Sequence, residues 1–275
     1  MTPFRATPGF TEDWKHFRFE IDDGVAAITF DRPEKLNALT FDTYADLRDL
    51  LLEIPQRDDV KVLVITGEGR GFCSGGDVHE IIGELLKMDA RGLLDFTRMT
   101  GSVVQAMREC PVPIIASING VAAGAGSVIA LAADFRIFVK EAKLAFLFTK
   151  VGLAGADMGS AYLLPRLIGL SKATELLMLG DSIDAESADR YGLAYRVVED
   201  NELFGATKQL AERLAYGPTL AYASTKMLLS RELDMNLAGA LELEAMTQAL
   251  LMTSKDHAEF YAAFSEGREP KWTGR

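Results

Sequence analysis

From residue 24 to about 198, short apolar runs of β type alternate with stretches of helical period, the pattern of an α/β fold in which helices cover a largely parallel sheet. Val25–Phe30 is the first predicted strand, and Asp31-Arg32-Pro33-Glu34-Lys35 is its turn. Residues 62–65, Val-Leu-Val-Ile, are apolar at every position, as a strand covered on both faces requires, and the run ends at Gly67. Soon after Asp77, Val78, Ile81, Ile82 and Leu85 fall at i, i+3, i+4 and i+7, which predicts a helix with that face in the core. The next unit repeats the plan, with a strand over 113–119, a loop of small residues over 120–126 and a buried helix over 127–133. A strand over 134–139, a loop over 152–159, helices over 158–168, 172–179 and 184–191, and a last strand over 193–198 complete this region.

Beyond Asp200 the β signal disappears. Four helices are predicted, over 202–216, 218–231, 236–252 and 255–265, with apolar faces such as Leu243, Met246, Leu250 and Leu251, or Phe260, Ala263 and Phe264. The expected organisation is an α/β core over 1–200 and a helical region over 201–275 that packs on its own core or on a neighbouring subunit.

Composition narrows the function. The 275 residues are 48% hydrophobic and 25% charged, ordinary for a globular chain, but the formal net charge is -11. That balance argues against nucleic-acid binding, which needs clustered Lys and Arg; an anionic ligand must be held locally. Cys73 and Cys110 are too few for a disulfide framework and lack metal-ligand spacing, and His16 and His257 show none either, so no metal is expected. Residues 1–15 hold no apolar run of signal-peptide length, and no stretch reaches the ~20 apolar residues of a membrane span. A soluble, cytoplasmic protein is expected.

Two glycine-rich stretches carry the candidate chemistry. Gly71-Phe72-Cys73-Ser74-Gly75-Gly76-Asp77-Val78 lies between a buried strand and an amphipathic helix. Its glycines allow close approach of a ligand, and N–H groups at a helix start suit an anion; equally, it is a tight turn with Asp77 as helix cap. Asn119-Gly120-Val121-Ala122-Ala123-Gly124-Ala125-Gly126 again ends where a helix begins. Two such starts could aim two N–H donors at one oxygen, or the small residues only let the helix approach the sheet. Gly67-Glu68-Gly69-Arg70-Gly71-Phe72 begins like a dinucleotide fingerprint, but Phe72 stands in the third glycine's place, which excludes it.

The segments RPEKLNAL (32–39), GFCSGGDV (71–78), INGVAAGAGSVIALAADFRI (118–137), GLSKATELLMLGDSIDAESADRYGLAYRVV (169–198) and FSEGREPKW (264–272), in order and at normal spacing, resemble the crotonase (enoyl-CoA hydratase/isomerase) superfamily. The resemblance implies a spiral of ββα turns with a C-terminal trimerisation region, assembled as a homotrimer or a hexamer of two trimers. It also implies an acyl group carried as a coenzyme A thioester, with no prosthetic group. By position, Gly76 and Ala125 supply the two N–H groups of an oxyanion hole, although many members have glycine where Ala125 stands.

Residues of the same motifs become candidates for coenzyme A contact: Ser74, Gly75, Asp77 and Val78, with Arg32, Lys35, Arg70 and His79 as phosphate partners or solvated charges. Both hydratase glutamates are missing, since Val128 and Phe148 occupy their positions, the latter on an expected strand whose alternation would turn Lys150 inward. Asp157, in a loop similar to that of dienoyl-CoA isomerases, is the replacement acid–base group or else the cap of the helix expected near Met158. Phe146, Phe148, Leu153 and Met158 would surround its carboxyl and raise its pKa, and Tyr162 is expected in the core or pocket wall. With Val128, these apolar residues favour a bulky or aromatic acyl group. The implied activity is hydratase/isomerase chemistry through a thioester enolate. Hydrolysis, decarboxylation and a non-catalytic binding module are the alternatives.

Overall fold

A computed structural model describes residues 3–9 and 11–275. Residues 1, 2 and 10, part of the N-terminal stretch read above for a leader, lie outside the described residues. The chain starts its first sheet one strand earlier than the apolar pattern indicates. β1 (Phe17–Asp22) pairs antiparallel with β2 (Val25–Phe30). Asp23 and Gly24 take positive φ in the two-residue turn between them, the geometry a tight hairpin demands. Only Phe17 of β1 is fully buried, so its alternating FRFEID carries a weak apolar signal.

After the short 3-10 turn Pro33–Lys35 comes α1 (Phe41–Glu53), capped by Thr40, whose hydroxyl accepts from Thr43 N–H at 3.2 Å. From there each turn of the chain lays one strand in each of two sheets and closes with helix. β3 (Val62–Gly67) and β4 (Gly71–Cys73) precede the π-helical turn Val78–Ile82, α2 (Gly83–Leu85) and α3 (Ala90–Glu109). β5 (Ile114–Ile118) and β6 (Val121–Ala123) precede α4 (Ala125–Ala132). β7 (Phe135–Val139) and β8 (Lys143–Ala145) precede the 3-10 turn Leu147–Val151, α5 (Ser160–Ile168) and α6 (Leu170–Leu179). Then β9 (Ile183–Asp184), α7 (Ala185–Arg190) and β10 (Arg196–Val198) end the sheets.

The six-stranded sheet runs β1-β2-β3-β5-β7-β10 and is parallel from β2 onward; the four-stranded sheet runs β4-β6-β8-β9. Parallel neighbours need a crossover, and the ββα units supply it. The expected spiral architecture is therefore observed, with three corrections. The expected small-residue loop contains strand β6, because Val121–Ala123 pairs with both β4 and β8. The helix expected from Asp77 is a π turn; it buries Ile81 but leaves Val78 exposed. Phe148 is on the 3-10 turn, so the alternation expected around it does not apply.

α8 (Leu203–Ala215), α9 (Thr219–Glu232), α10 (Leu237–Leu251) and α11 (Lys255–Glu266) match the four expected helices within two residues at each end. α8 packs across β2, β3, β5 and β7 through Leu210, Ala211 and Leu214, so it belongs to the core although it follows residue 200. On α10 and α11, Met246, Leu250, Phe260 and Phe264 are exposed within the chain, whereas Ala263 is buried. Among the described residues no helix is long and apolar enough to cross a membrane.

Candidate active site

Two asparagines, Asn37 buried and Asn119 half-buried, build the frame. Asn37, in a left-handed conformation with φ 58°, accepts from Arg32 N–H (2.9 Å) and donates to the carbonyls of Glu68 (3.0 Å) and Gly71 (2.7 Å). Asn119 donates to the carbonyls of Gly67 (2.8 Å), Gly69 (2.8 Å) and Gly71 (3.2 Å). Together they satisfy the backbone of the turn between β3 and β4 and fix where β4 starts. Both asparagines lie inside motifs already singled out, but their roles depend on contacts 30–50 residues away.

The peptide of Leu39 bridges the chain on either side of Gly76: Leu39 N–H donates to Gly75 O and Asp77 N–H donates to Leu39 O, each at 2.8 Å. Between these bonds Gly76 is exposed, and its own N–H finds no protein acceptor among the described residues. Ala125 is the first residue of α4, so its N–H has no intrahelical acceptor, and it too finds none elsewhere. The loops touch. A Cβ on Gly75 (φ 96°) would lie 2.9 Å from Ala123 O and 3.4 Å from Ala125 N, and one on Gly126 would lie 2.2 Å from Cys73 O. The glycines thus permit backbone to meet backbone, and the same contact leaves two unpaired N–H groups side by side. The Ala125 methyl takes nothing from its donor. Cys73, buried beneath, has its thiol pushed up to about 12 by burial, so it is not a thiolate nucleophile.

Asp77 does cap the turn that follows: its Oδ1 accepts from His79 N–H (3.0 Å) and Glu80 N–H (3.1 Å). Burial pushes this carboxyl up, but the N–H donors, Arg32 and Lys35 outweigh it and hold the pKa below the usual range. Arg32 is buried rather than open to a phosphate. Its guanidinium reaches Asp77 (3.2 Å), Glu80 (2.7 Å) and Ala38 O (2.8 Å), which is a correction to its expected availability. Replacing Arg32 with Leu leaves the Asp77 carboxylate buried without its partner, and a loss of about 3–5 kcal/mol is expected in urea unfolding. Because the Asp77 pKa is depressed on folding, that stabilisation is present above the unfolded carboxylate pKa and lost as pH falls through the folded one; wild type and variant should converge in acid. Lys35, Arg70, Val78 and His79 are exposed around this rim, and the Ser74 hydroxyl donates to Lys35 O at 3.2 Å.

The remaining candidates come from α4 and from the segment after β8. Val128 of α4 is buried, as are Phe146, Phe148 and Met158, but Leu153 is 61% exposed and encloses nothing. Lys150 points outward to Asp181 at 3.1 Å. Tyr162 is at the surface, bonded to Asp234 and stacked under Arg166 with 3.6 Å from guanidinium carbon to ring centroid, rather than in core or pocket wall.

Asp157 is held by a clamp. A Cβ on Gly155 would lie 1.9 Å from Leu177 O, so the loop presses on the end of α6. The buried Ser160 hydroxyl donates to Gly155 O and accepts from Asp157 N–H, both at 3.1 Å. Met158 (φ 51°) and Gly159 (φ 89°) then turn the chain through the left-handed region, a conformation that costs a non-glycine residue about 1 kcal/mol. The Asp157 Oδ1 accepts from Met158 N–H at 2.9 Å, and no side chain caps α5, which starts only at Ser160; the capping alternative does not hold. Burial raises the Asp157 pKa, and the Met158 N–H offsets this only in part.

One residue that the motifs did not mark borders the glycine-rich segment. Tyr44, in the first turn of α1, is 3% exposed, and its hydroxyl lies 3.6 Å from where a Cβ on Gly76 would stand. Burial pushes the phenol well above its usual pKa, and its facing Cys73 and Asp157 adds to that. Among the described residues no three metal-ligating side chains cluster.

Residues 20–275 match the family model for enoyl-CoA hydratase/isomerase. The chain is 34% identical over 260 residues to the 1,2-epoxyphenylacetyl-CoA isomerase of Escherichia coli K12, covering 93% of this chain and 97% of that one. It is 35% identical over 257 residues to the (E)-benzylidenesuccinyl-CoA hydratase of Thauera aromatica, covering 93% and 98%. A crystal structure of a Streptomyces coelicolor A3(2) protein superposes with a TM-score of 0.95 at 61% identity, over 100% of both chains. On this agreement of motifs, fold and relatives, the chain belongs to the enoyl-CoA hydratase/isomerase family, within the crotonase superfamily.

Proposed function

We propose that this acyl-CoA enzyme of the hydratase/isomerase type acts as an isomerase, moving a double bond along the acyl chain with Asp157 as the only acid–base group. The observation that carries the reading is a half-buried carboxylate of raised pKa at a site whose second carboxylate position holds Phe148. Hydration needs one group to activate water and another to protonate carbon, whereas allylic isomerisation needs one group that takes a proton and returns it. The thioester oxygen accepts from the N–H groups of Gly76 and Ala125. The Asp157 carboxylate removes the α-proton of a β,γ-unsaturated thioester, and the C–H electrons form a dienolate whose charge rests on that oxygen. The carboxylic acid so formed returns the proton to the γ-carbon, which leaves the α,β-unsaturated product and the original carboxylate.

The coenzyme A moiety would lie along Ser74, Gly75, Asp77 and Val78, with Lys35, Arg70 and His79 near its phosphates. The aromatic acyl groups in the names of the two relatives support a bulky acyl pocket bounded by Val128, Phe146, Phe148 and Met158. The exposed apolar side chains of α10 and α11 support assembly as a trimer, or as a hexamer of two trimers, in the cytoplasm.

A β,γ-enoyl-CoA incubated in D2O tests the reaction. The α,β-enoyl chromophore should grow without gain of the mass of water, and deuterium should enter the acyl chain only to the extent that the half-buried carboxylic acid exchanges before it returns the proton. Hydrated product as the main species would overturn the assignment. Because Asp157 must be ionised to act, kcat/KM should rise with pH through its pKa, with the acid limb above the ordinary aspartate range.

A further inference from the structure

The Tyr44 hydroxyl is a donor with no protein partner among the described residues, at the accessible tip of an otherwise buried side chain. Its ring is edge-on to Phe96 (centroids 6.1 Å apart), and Phe96 in turn meets Phe41 and Phe4, so the ring is fixed by an aromatic cluster. The tyrosine is 3% exposed, and its phenolic oxygen, which makes no hydrogen bond to any described residue, is the part left open. A hydroxyl so placed takes its hydrogen bond from water or from a bound ligand. This one borders the exposed Gly76 on one side and faces Asp157 on the other, the space in which the acyl carbons next to the thioester would lie. Its raised pKa keeps it protonated, hence a donor, at any pH at which the carboxylate works.

We propose that Tyr44 is a specificity-determining residue whose hydroxyl donates a hydrogen bond to an oxygen carried by the acyl chain close to the thioester, so that the enzyme selects oxygenated acyl-CoA substrates over plain ones. This rests on the reading of Gly76 and Ala125 as the thioester site but not on the identity of the reaction. Binding therefore tests it, in the Asp157→Asn protein to hold chemistry back, with a saturated acyl-CoA and its α-, β- and γ-hydroxy counterparts of equal chain length, by calorimetry.

One hydroxy ligand should bind roughly tenfold more tightly than the plain acyl-CoA, the worth of one buried neutral hydrogen bond, and adding Tyr44→Phe should remove the difference. Equal affinity of all four ligands, or a preference that persists without the phenolic oxygen, overturns the proposal. Failure of every CoA ligand to bind overturns the thioester site itself, a different outcome that takes the Tyr44 assignment with it. Ligands recovered chemically altered sink the Asp157 mechanism alone and leave the affinity ratio readable from the intact fraction. Tyr44→Phe alone should leave the melting temperature unchanged or raised; a marked fall would mean that the hydroxyl is bonded within the protein, and also overturns the proposal.

Discussion

Asp157→Asn should lower kcat for double-bond migration about 10²–10⁴-fold while the dissociation constant of an unreactive acyl-CoA changes by no more than about threefold. Asparagine keeps the size of the side chain and can still accept from Met158 N–H, so the clamp formed by Ser160 and Gly155 stays closed. What disappears is the charge that takes the proton. Stability gives an independent sign. A carboxyl whose pKa is raised on folding weighs against the folded state: the penalty is absent below the unfolded pKa, grows as pH rises through the folded one, and is fully present at neutral pH. The asparagine variant should therefore melt at the same temperature as wild type or above it. Loss of turnover with unchanged melting would mark a chemical role. Activity within a few-fold of wild type would remove Asp157 from the mechanism.

Gly126→Ala is expected to be nearly as damaging without touching any reacting atom. Alanine is the better helix former by about 1 kcal/mol, so propensity alone predicts a gain. Here the added methyl would stand 2.2 Å from Cys73 O and 2.8 Å from Cys73 Cβ, an overlap that only movement of α4 away from β4 relieves. That movement carries the Ala125 N–H away from Gly76. Removing one donor from an oxyanion hole costs about 10²–10³-fold in kcat, and a shift of this size should approach that loss. Circular dichroism should show the fold retained with a lower melting temperature, and steady-state kinetics should place the loss in kcat more than in KM. A variant of normal kcat would show that the helix start is not what aims the donor.

The two glycine-rich segments were legible before the fold because their chemistry is local: Gly75, Gly76, Gly124 and Gly126 are recognisable as residues that let backbone approach backbone. The C-terminal helices were legible to within two residues because each repeats its apolar positions at helical period. β6 was not, since Val121–Ala123 is three small residues long and its strand character comes only from its neighbours β4 and β8. Phe148 is expected on a strand only because the resemblance sets it at the family's second glutamate position, but the chain curls into a 3-10 turn after Phe146 and Lys150 swings out to Asp181. Tyr44 carried no sign at all. In sequence it is one aromatic residue in the first turn of a helix, and only the pairing of Leu39 with Gly76, which docks the start of α1 against the glycine-rich segment, brings its hydroxyl to the site.

β4 and β6 are adjacent, Gly71 opposite Val121 and Cys73 opposite Ala122 with a register shift between them, and the unpaired N–H groups of Gly76 and Ala125 lie shortly past the ends of these strands. The placing of these two groups is thus a matter of backbone, the β4–β6 ladder and the glycine contacts between the loops, rather than of the setting of any side chain. Asp157, in contrast, hangs on a separate loop held by one serine and one carbonyl contact. On the proposed mechanism, thioester activation and proton transfer are mechanically separate parts of the molecule, and the second could be exchanged by redrawing residues 152–160 while the first keeps its place.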